Sequence, residues 1–129
     1  MYQEPDSETD RIAAAIVDAA LKVHKALGPG LLESVYETCL THELRSRGLS
    51  VENQVAVLIH YEGLQLDAAL RLDMLVNDLV IVELKSVEKM TPLYDAQVLS
   101  YLRLTKKRLG LLINFNVPLI KDGIRRIIL

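Results

Sequence analysis

The chain has 129 residues, half of them hydrophobic and a quarter charged, with a formal net charge of −2. That length and balance describe one globular domain able to bury a core, and they exclude a disordered chain. Cys39 is the only cysteine, so an internal disulfide framework is excluded and a reducing compartment fits best.

Residues 1–6 read as a flexible tail and 7–129 as the single folded domain. The acidic start MYQEPDSETD is the reverse of a secretory leader. No apolar run approaches the roughly 20 residues that cross a bilayer; the expected place is the cytoplasm, with no membrane partner. Ser7 followed by Asp10 resembles a capping box, and Ile12, Ile16, Ala19, Val23 and Leu27 recur at helical spacing until Gly28-Pro29-Gly30 breaks the pattern. A second helix is expected from about Leu32 to Arg47, with Val35, Cys39, Leu40 and Leu44 as its apolar face and Gly48 as a left-handed stop. Cys39 is expected as a buried core thiol, and His24 and His42 as helix-surface residues.

The period then changes to two. Val51 to Tyr61 predicts a strand, Glu62-Gly63 a tight turn, and the run through Leu70, Leu72 and Met74 to Val76 a second strand. Asn77-Asp78 marks another turn before a third strand, Leu79–Val87. Thr91-Pro92 opens a helix reaching about Lys106. LGLLINF follows as a buried strand, and a short last strand lies near Ile124–Leu129. The order α-α-β-β-β-α-β-β predicts an α/β fold, a mixed sheet with helices on both faces. From Tyr101 onward seven basic residues stand against one acid. Among them Arg103, Lys106, Lys107 and Arg108 are weak candidates for holding phosphate, with a solvated helix end as the bland alternative.

Glu83 and Lys85 interrupt the otherwise apolar third strand. Two residues apart, they point to one face, and charges in such a strand are paired or bound to metal. One reading is a buried ion pair, with Arg71 or Asp73 as a further partner. The other is a site: Asp73 and Glu83 on neighbouring strands would chelate one divalent cation. Register sets a condition on this. A two-residue turn at Asn77-Asp78 would pair Asp73 with Val82 and put the two carboxylates on opposite faces. A shared site therefore predicts a three-residue connection, a bulge or a bent strand near Asp73.

Gly30-Leu31-Leu32-Glu33-Ser34-Val35-Tyr36 matches the GxxExxY signature, and Asp73 with Glu83-Leu84-Lys85 matches the D…ExK core. On these residues, with Gln97 downstream, the chain resembles the GxxExxY family of the PD-(D/E)xK nuclease superfamily from about Ile12 to Leu129. The resemblance implies a restriction-endonuclease-like core. It implies Mg²⁺ or Mn²⁺ held by Asp73, Glu83 and the Leu84 carbonyl, with Glu33 as a further metal or water ligand. Lys85 would orient or deprotonate water and Gln97 would stand beside the site. Gly30 would let the chain approach closely before the helix, and Tyr36 would pack, its hydroxyl reaching towards the site. Leu72 replaces the superfamily's proline. Tyr94 stands where relatives often carry histidine, on one helical face with Gln97 and Tyr101.

The expected activity is metal-dependent phosphodiester hydrolysis, with DNA a better candidate substrate than RNA and a homodimer or partner protein supplying selectivity. The alternatives are a catalytically silent nucleic-acid-binding or dimerisation module, and a hydrolase of small phosphate esters. No zinc spacing, phosphate loop, nucleophile elbow or dinucleotide fingerprint is present. With one Phe and no Trp, a broad base-stacking platform is excluded.

Overall fold

Asp6, one residue earlier than the Ser7 expected, starts the first helix. Its carboxylate accepts the Thr9 N–H at 2.8 Å, satisfying one of the orphan donors of the first turn. The computed structural model describes residues 4–129, and of residues 68 and 69 the backbone alone. Of the tail expected over 1–6, residues 1–3 lie outside the described residues. Pro5 is buried, Asp6 caps the helix and Glu4 lies 3.8 Å from Arg126. Helix α1 (Ser7–Leu27) buries Ile12, Ile16, Ala19 and Val23 and ends where Gly28 takes a φ of 73°.

Helix α2 (Glu33–Ser46) buries Leu40 and Leu44 as expected but is rotated away from the rest of the expected face. It buries Tyr36, Leu40, Thr41 and Leu44, while Val35 is exposed and Cys39 only half-buried. Burying the large Tyr36 ring removes more apolar surface from water than burying Val35 or Cys39 would, so the ring sets the helix rotation.

Strands β1 (Val51–Tyr61) and β2 (Leu64–Val76) form a long hairpin around Glu62 and Gly63, whose φ values are 45° and 84°. Then follow β3 (Val80–Lys85), α3 (Pro92–Thr105), β4 (Leu109–Asn114), a short 3₁₀ turn (Ile120–Gly123) and β5 (Ile124–Ile128). The five strands lie in chain order; β3 and β4 are parallel and every other neighbouring pair is antiparallel. Helix α3 is the crossover that a parallel pair requires. This is the mixed sheet and element order expected.

The sheet carries a core on each face. Ile12, Ile16, Tyr36 and Leu40 pack with Met74, Val82, Leu84 and Leu111 on one side, and Leu102 packs with Leu72, Leu75 and Ile81 on the other. Covered on both faces, β3 is apolar at every position until its last charged residues. Gly110 brings α3 close: a Cβ there would lie 2.7 Å from Val98 Cγ1. The helix can sit against β4 only because that atom is missing.

Candidate active site at the ends of β2 and β3

The β2–β3 connection meets the condition set by the two carboxylates. Val76 pairs with Val80 and Met74 with Val82, so three residues, 77–79, join the strands. Asn77 and Asp78 both have positive φ, 50° and 56°, and the Leu79 N–H closes the turn on the Val76 carbonyl at 3.0 Å. The next pair along this register is Asp73 with Glu83, and there the backbone ladder gives way to side chains. The Asp73 N–H donates to Glu83 Oε1 at 3.0 Å, and the Leu84 N–H donates to Asp73 Oδ2 at 2.9 Å. Each carboxylate thus binds main chain on the opposite strand. The strand also changes face here. Met74 and Val76 point into the α1–α2 core, while Leu72 points into the α3 core. Opposite Asp73, Gln54 has a φ of 51°. Asp73 is the residue at which the bend falls.

Glu83 is buried, with 6% of its surface exposed, and no cation lies within ion-pair distance of it or of Asp73 among the described residues. Burial, and then the neighbouring Asp73 carboxylate, push its pKa up to about 8, against the pull of the Asp73 N–H and of Lys85. The ion-pair reading of Glu83 and Lys85 is therefore not what the structure contains. The Lys85 ammonium instead lies over the Tyr94 ring, 4.6 Å from its centroid. Two adjacent acids short of positive charge, offering only oxygen donors, fit a hard divalent cation.

Helix α3 completes one wall. Gln97 stands one turn before Tyr101 on the same face of this helix. Desolvation first, then the charges of Glu83 and Asp73, raise the Tyr101 pKa. Lys85 lies against Tyr94 and the charges of Glu83 and Asp73 reach Tyr101, with Gln97 between the two along α3. Glu33 stands apart. Among the described residues no group of three or more His, Cys, Asp or Glu is clustered to hold a metal, so Glu33 does not join Asp73 and Glu83 as a third ligand. The reason is topological, because α2 packs on the sheet face opposite α3. Glu33 still feels the site. Desolvation of its carboxyl, then repulsion from Asp73 and Glu37, hold its pKa above the usual range against the attraction of Lys85.

Several expectations are corrected. Gly30 has a φ of 94°, and nothing lies within 4 Å of where its Cβ would be; it serves a backbone conformation, not a close approach. The Tyr36 hydroxyl is taken up by the α1–α2 connection, donating to the Gly28 carbonyl at 2.6 Å and accepting from the Leu31 N–H at 3.1 Å. His24 is buried, not on the surface, with Nε2 2.8 Å from the Val117 carbonyl. Arg103, Lys106, Lys107 and Arg108 sit at the C-terminal end of α3 and the turn after it, with Arg103 about 14 Å along the helix from Tyr94. There Lys107 pairs with Asp78 and Arg108 donates to the Leu129 carbonyl.

A family model described as the PD-(D/E)XK nuclease superfamily matches residues 10–127. The chain belongs to that superfamily. No curated protein and no solved structure is significantly similar to it. The superfamily assignment agrees with the fold. PD-(D/E)XK nucleases typically use divalent metal ions, which the donor set here suits. Two site features carried no sequence signal. Ser86 Oγ donates to the Leu31 carbonyl at 2.6 Å, and the buried Asn114 side chain bonds both the N–H and the carbonyl of Val87. Both tie the segment after Lys85 to distant chain. A cavity of about 730 Å³ lies elsewhere, between α1 and residues 118–121, lined by Lys22, Lys25, Arg47 and Lys121 among others. It contains none of the site residues.

Proposed function

We propose that the protein is a Mg²⁺- or Mn²⁺-dependent phosphodiesterase acting on DNA, and that it is a GxxExxY member of its superfamily. The observation that carries this reading is the interlocked pair: Asp73 and Glu83 each grip the other's strand and are left without a cation. Asp73 and Glu83 would hold the metal, with the Leu84 carbonyl beside them. The N–H and C=O of one extended residue leave the same strand edge, and the Leu84 N–H faces Asp73. When bound, the metal supplies neutralisation of the phosphate and acidification of a water. Lys85, oriented by the Tyr94 ring, places its ammonium where charge grows on the phosphate and orients the attacking water, whose proton leaves more easily beside that positive charge. Glu33 orients that water from the α2 side. Gln97 and Tyr101 shape the wall. A homodimer or a partner protein would supply selectivity; the lone thiol fits the cytoplasm.

The test is calorimetric titration of the metal-free protein with Mn²⁺ and Mg²⁺ beside Glu83→Ala, with the same samples incubated with plasmid and single-stranded DNA. Metal binding and cleavage should both vanish in the variant. Lys85→Ala should keep metal binding and lose about 10²–10³ in kcat, the usual range for a transition-state charge contact. A folded wild-type protein that binds neither metal would overturn the reading. Metal binding with cleavage of small phosphate esters alone would move it to another hydrolase.

A further inference from the structure

The segment joining α1 to α2 has little to hold it by packing. Pro29, Gly30, Leu31 and Leu32 are all exposed, Leu32 by 73%. Gly28 and Gly30 have φ values of 73° and 94°, a conformation that fixes nothing by itself. Yet the segment leads into Glu33, the first residue of α2, whose carboxyl feels the charges of Lys85 and Asp73.

Three hydrogen bonds tie it down, two through one hydroxyl. Tyr36 Oη donates to the Gly28 carbonyl at 2.6 Å and accepts from the Leu31 N–H at 3.1 Å, bracketing Gly28 to Leu31. Ser86 Oγ donates to the Leu31 carbonyl at 2.6 Å. The hydroxyl is itself fixed. The Tyr36 ring is fully buried and stacked on Phe115, with centroids 4.4 Å apart and planes 10° off parallel. The Phe115 N–H in turn donates to the Lys85 carbonyl at 3.0 Å. Both tethers therefore end at the same place, the backbone on either side of Lys85.

We infer that Tyr36 and Ser86 are positioning residues that lock the Gly28–Leu32 segment to the end of β3 and so set Glu33 against Lys85. This deepens the nuclease reading and rests on it for the catalytic role of Glu33. The spacing of the GxxExxY signature then has a physical basis. The glycine supplies the left-handed bend, the acid is the group presented, and the tyrosine one turn later reaches back to hold the bend. Neither Tyr36 nor Ser86 touches the reacting atoms; they act through Glu33.

Tyr36→Phe keeps the stacked ring and removes only the hydroxyl, which makes it the informative change. In the metal-free full chain, hydrogen exchange at the Leu31 amide should accelerate about tenfold in this variant, while the β4 amides keep their protection. Unchanged exchange at Leu31, or loss spread evenly over the chain, would overturn the lock. With plasmid DNA and Mn²⁺, Tyr36→Phe and Ser86→Ala should each lower kcat by about three- to tenfold, on the scale of one hydrogen bond. In a Glu33→Gln background neither should lower it further. Additive losses in that background would mean that the two residues act on the fold and not through Glu33. A wild-type protein that binds Mn²⁺ without cutting removes the catalytic half together with the nuclease reading, and the exchange result alone then decides the lock.

Discussion

Glu83 faces two demands that a single carboxylate meets only by changing its proton. Buried beside Asp73 and without a cation, it holds a proton to about 8, well above its ordinary 4.5. Between those values the folded protein keeps a proton that the unfolded chain has lost. The stability this contributes is complete below about 4.5 and is lost as pH rises towards about 8. Metal-free protein should therefore lose urea midpoint relative to Glu83→Gln across that window; parallel profiles of the two would overturn the assignment. The same proton must leave when a cation binds. Mn²⁺ titrated in two buffers of different ionisation enthalpy should report release of about one proton per site well below pH 8 and almost none well above it. Lys85 is held differently, by a ring and not by a charge. Tyr94→Phe should preserve activity, whereas Tyr94→Leu should lower kcat several-fold, in line with about 0.5–1 kcal/mol for a cation–π contact. Equal kcat values for the two variants would remove the ring from the site.

At the scale of elements, the site exists because two strands and a helix meet at fixed offsets. Gly110 shows how close the tolerances are. Gly110→Ala would drive a methyl against Val98 and push α3, with Tyr94, Gln97 and Tyr101, off β4. The expected cost is about 1–3 kcal/mol, the usual scale of overpacking, read as a lower urea midpoint at unchanged slope. Much of this arrangement was legible in the sequence because local rules govern it. The glycine–proline break after Leu27, the Thr91-Pro92 helix start and the alternation of β1 need only neighbours in the chain. That the β2–β3 connection departs from a two-residue turn, or the strand from regularity near Asp73, was legible too, since a period of two lets faces be counted; which of these it would be was not. What escaped depends on distant partners. His24 is drawn inward by the carbonyl of Val117, 93 residues away. Tyr36 turns α2 because Phe115 waits to stack with it. Glu33 could be placed on its helix, and that helix on the sheet face opposite the Gln97 helix, but its separation from Asp73 and Glu83 could not be counted along the chain.

Across the whole molecule, the two cores are separated by one sheet and yet cannot come apart. β3 gives Val80, Val82 and Leu84 to the α1–α2 side and Ile81 to the α3 side, so no state can keep one core native while the central strand is lost. Glu83 hangs from that same strand, which couples the site to the integrity of both cores. Leu40→Ala empties the first core and Leu102→Ala the second, and both side chains are fully buried. Each should cost about 2–5 kcal/mol, the range for cavities left by leucine. If the sheet makes one cooperative unit, both variants will show a single urea transition, coincident by far-UV circular dichroism and tyrosine fluorescence, with the wild-type slope. The contrary outcome has its own signature: in Leu102→Ala, amides of α3 would exchange early while β4 and α1 stayed protected. In that case α3 would open as a separate unit, and Glu83 would meet water without global unfolding.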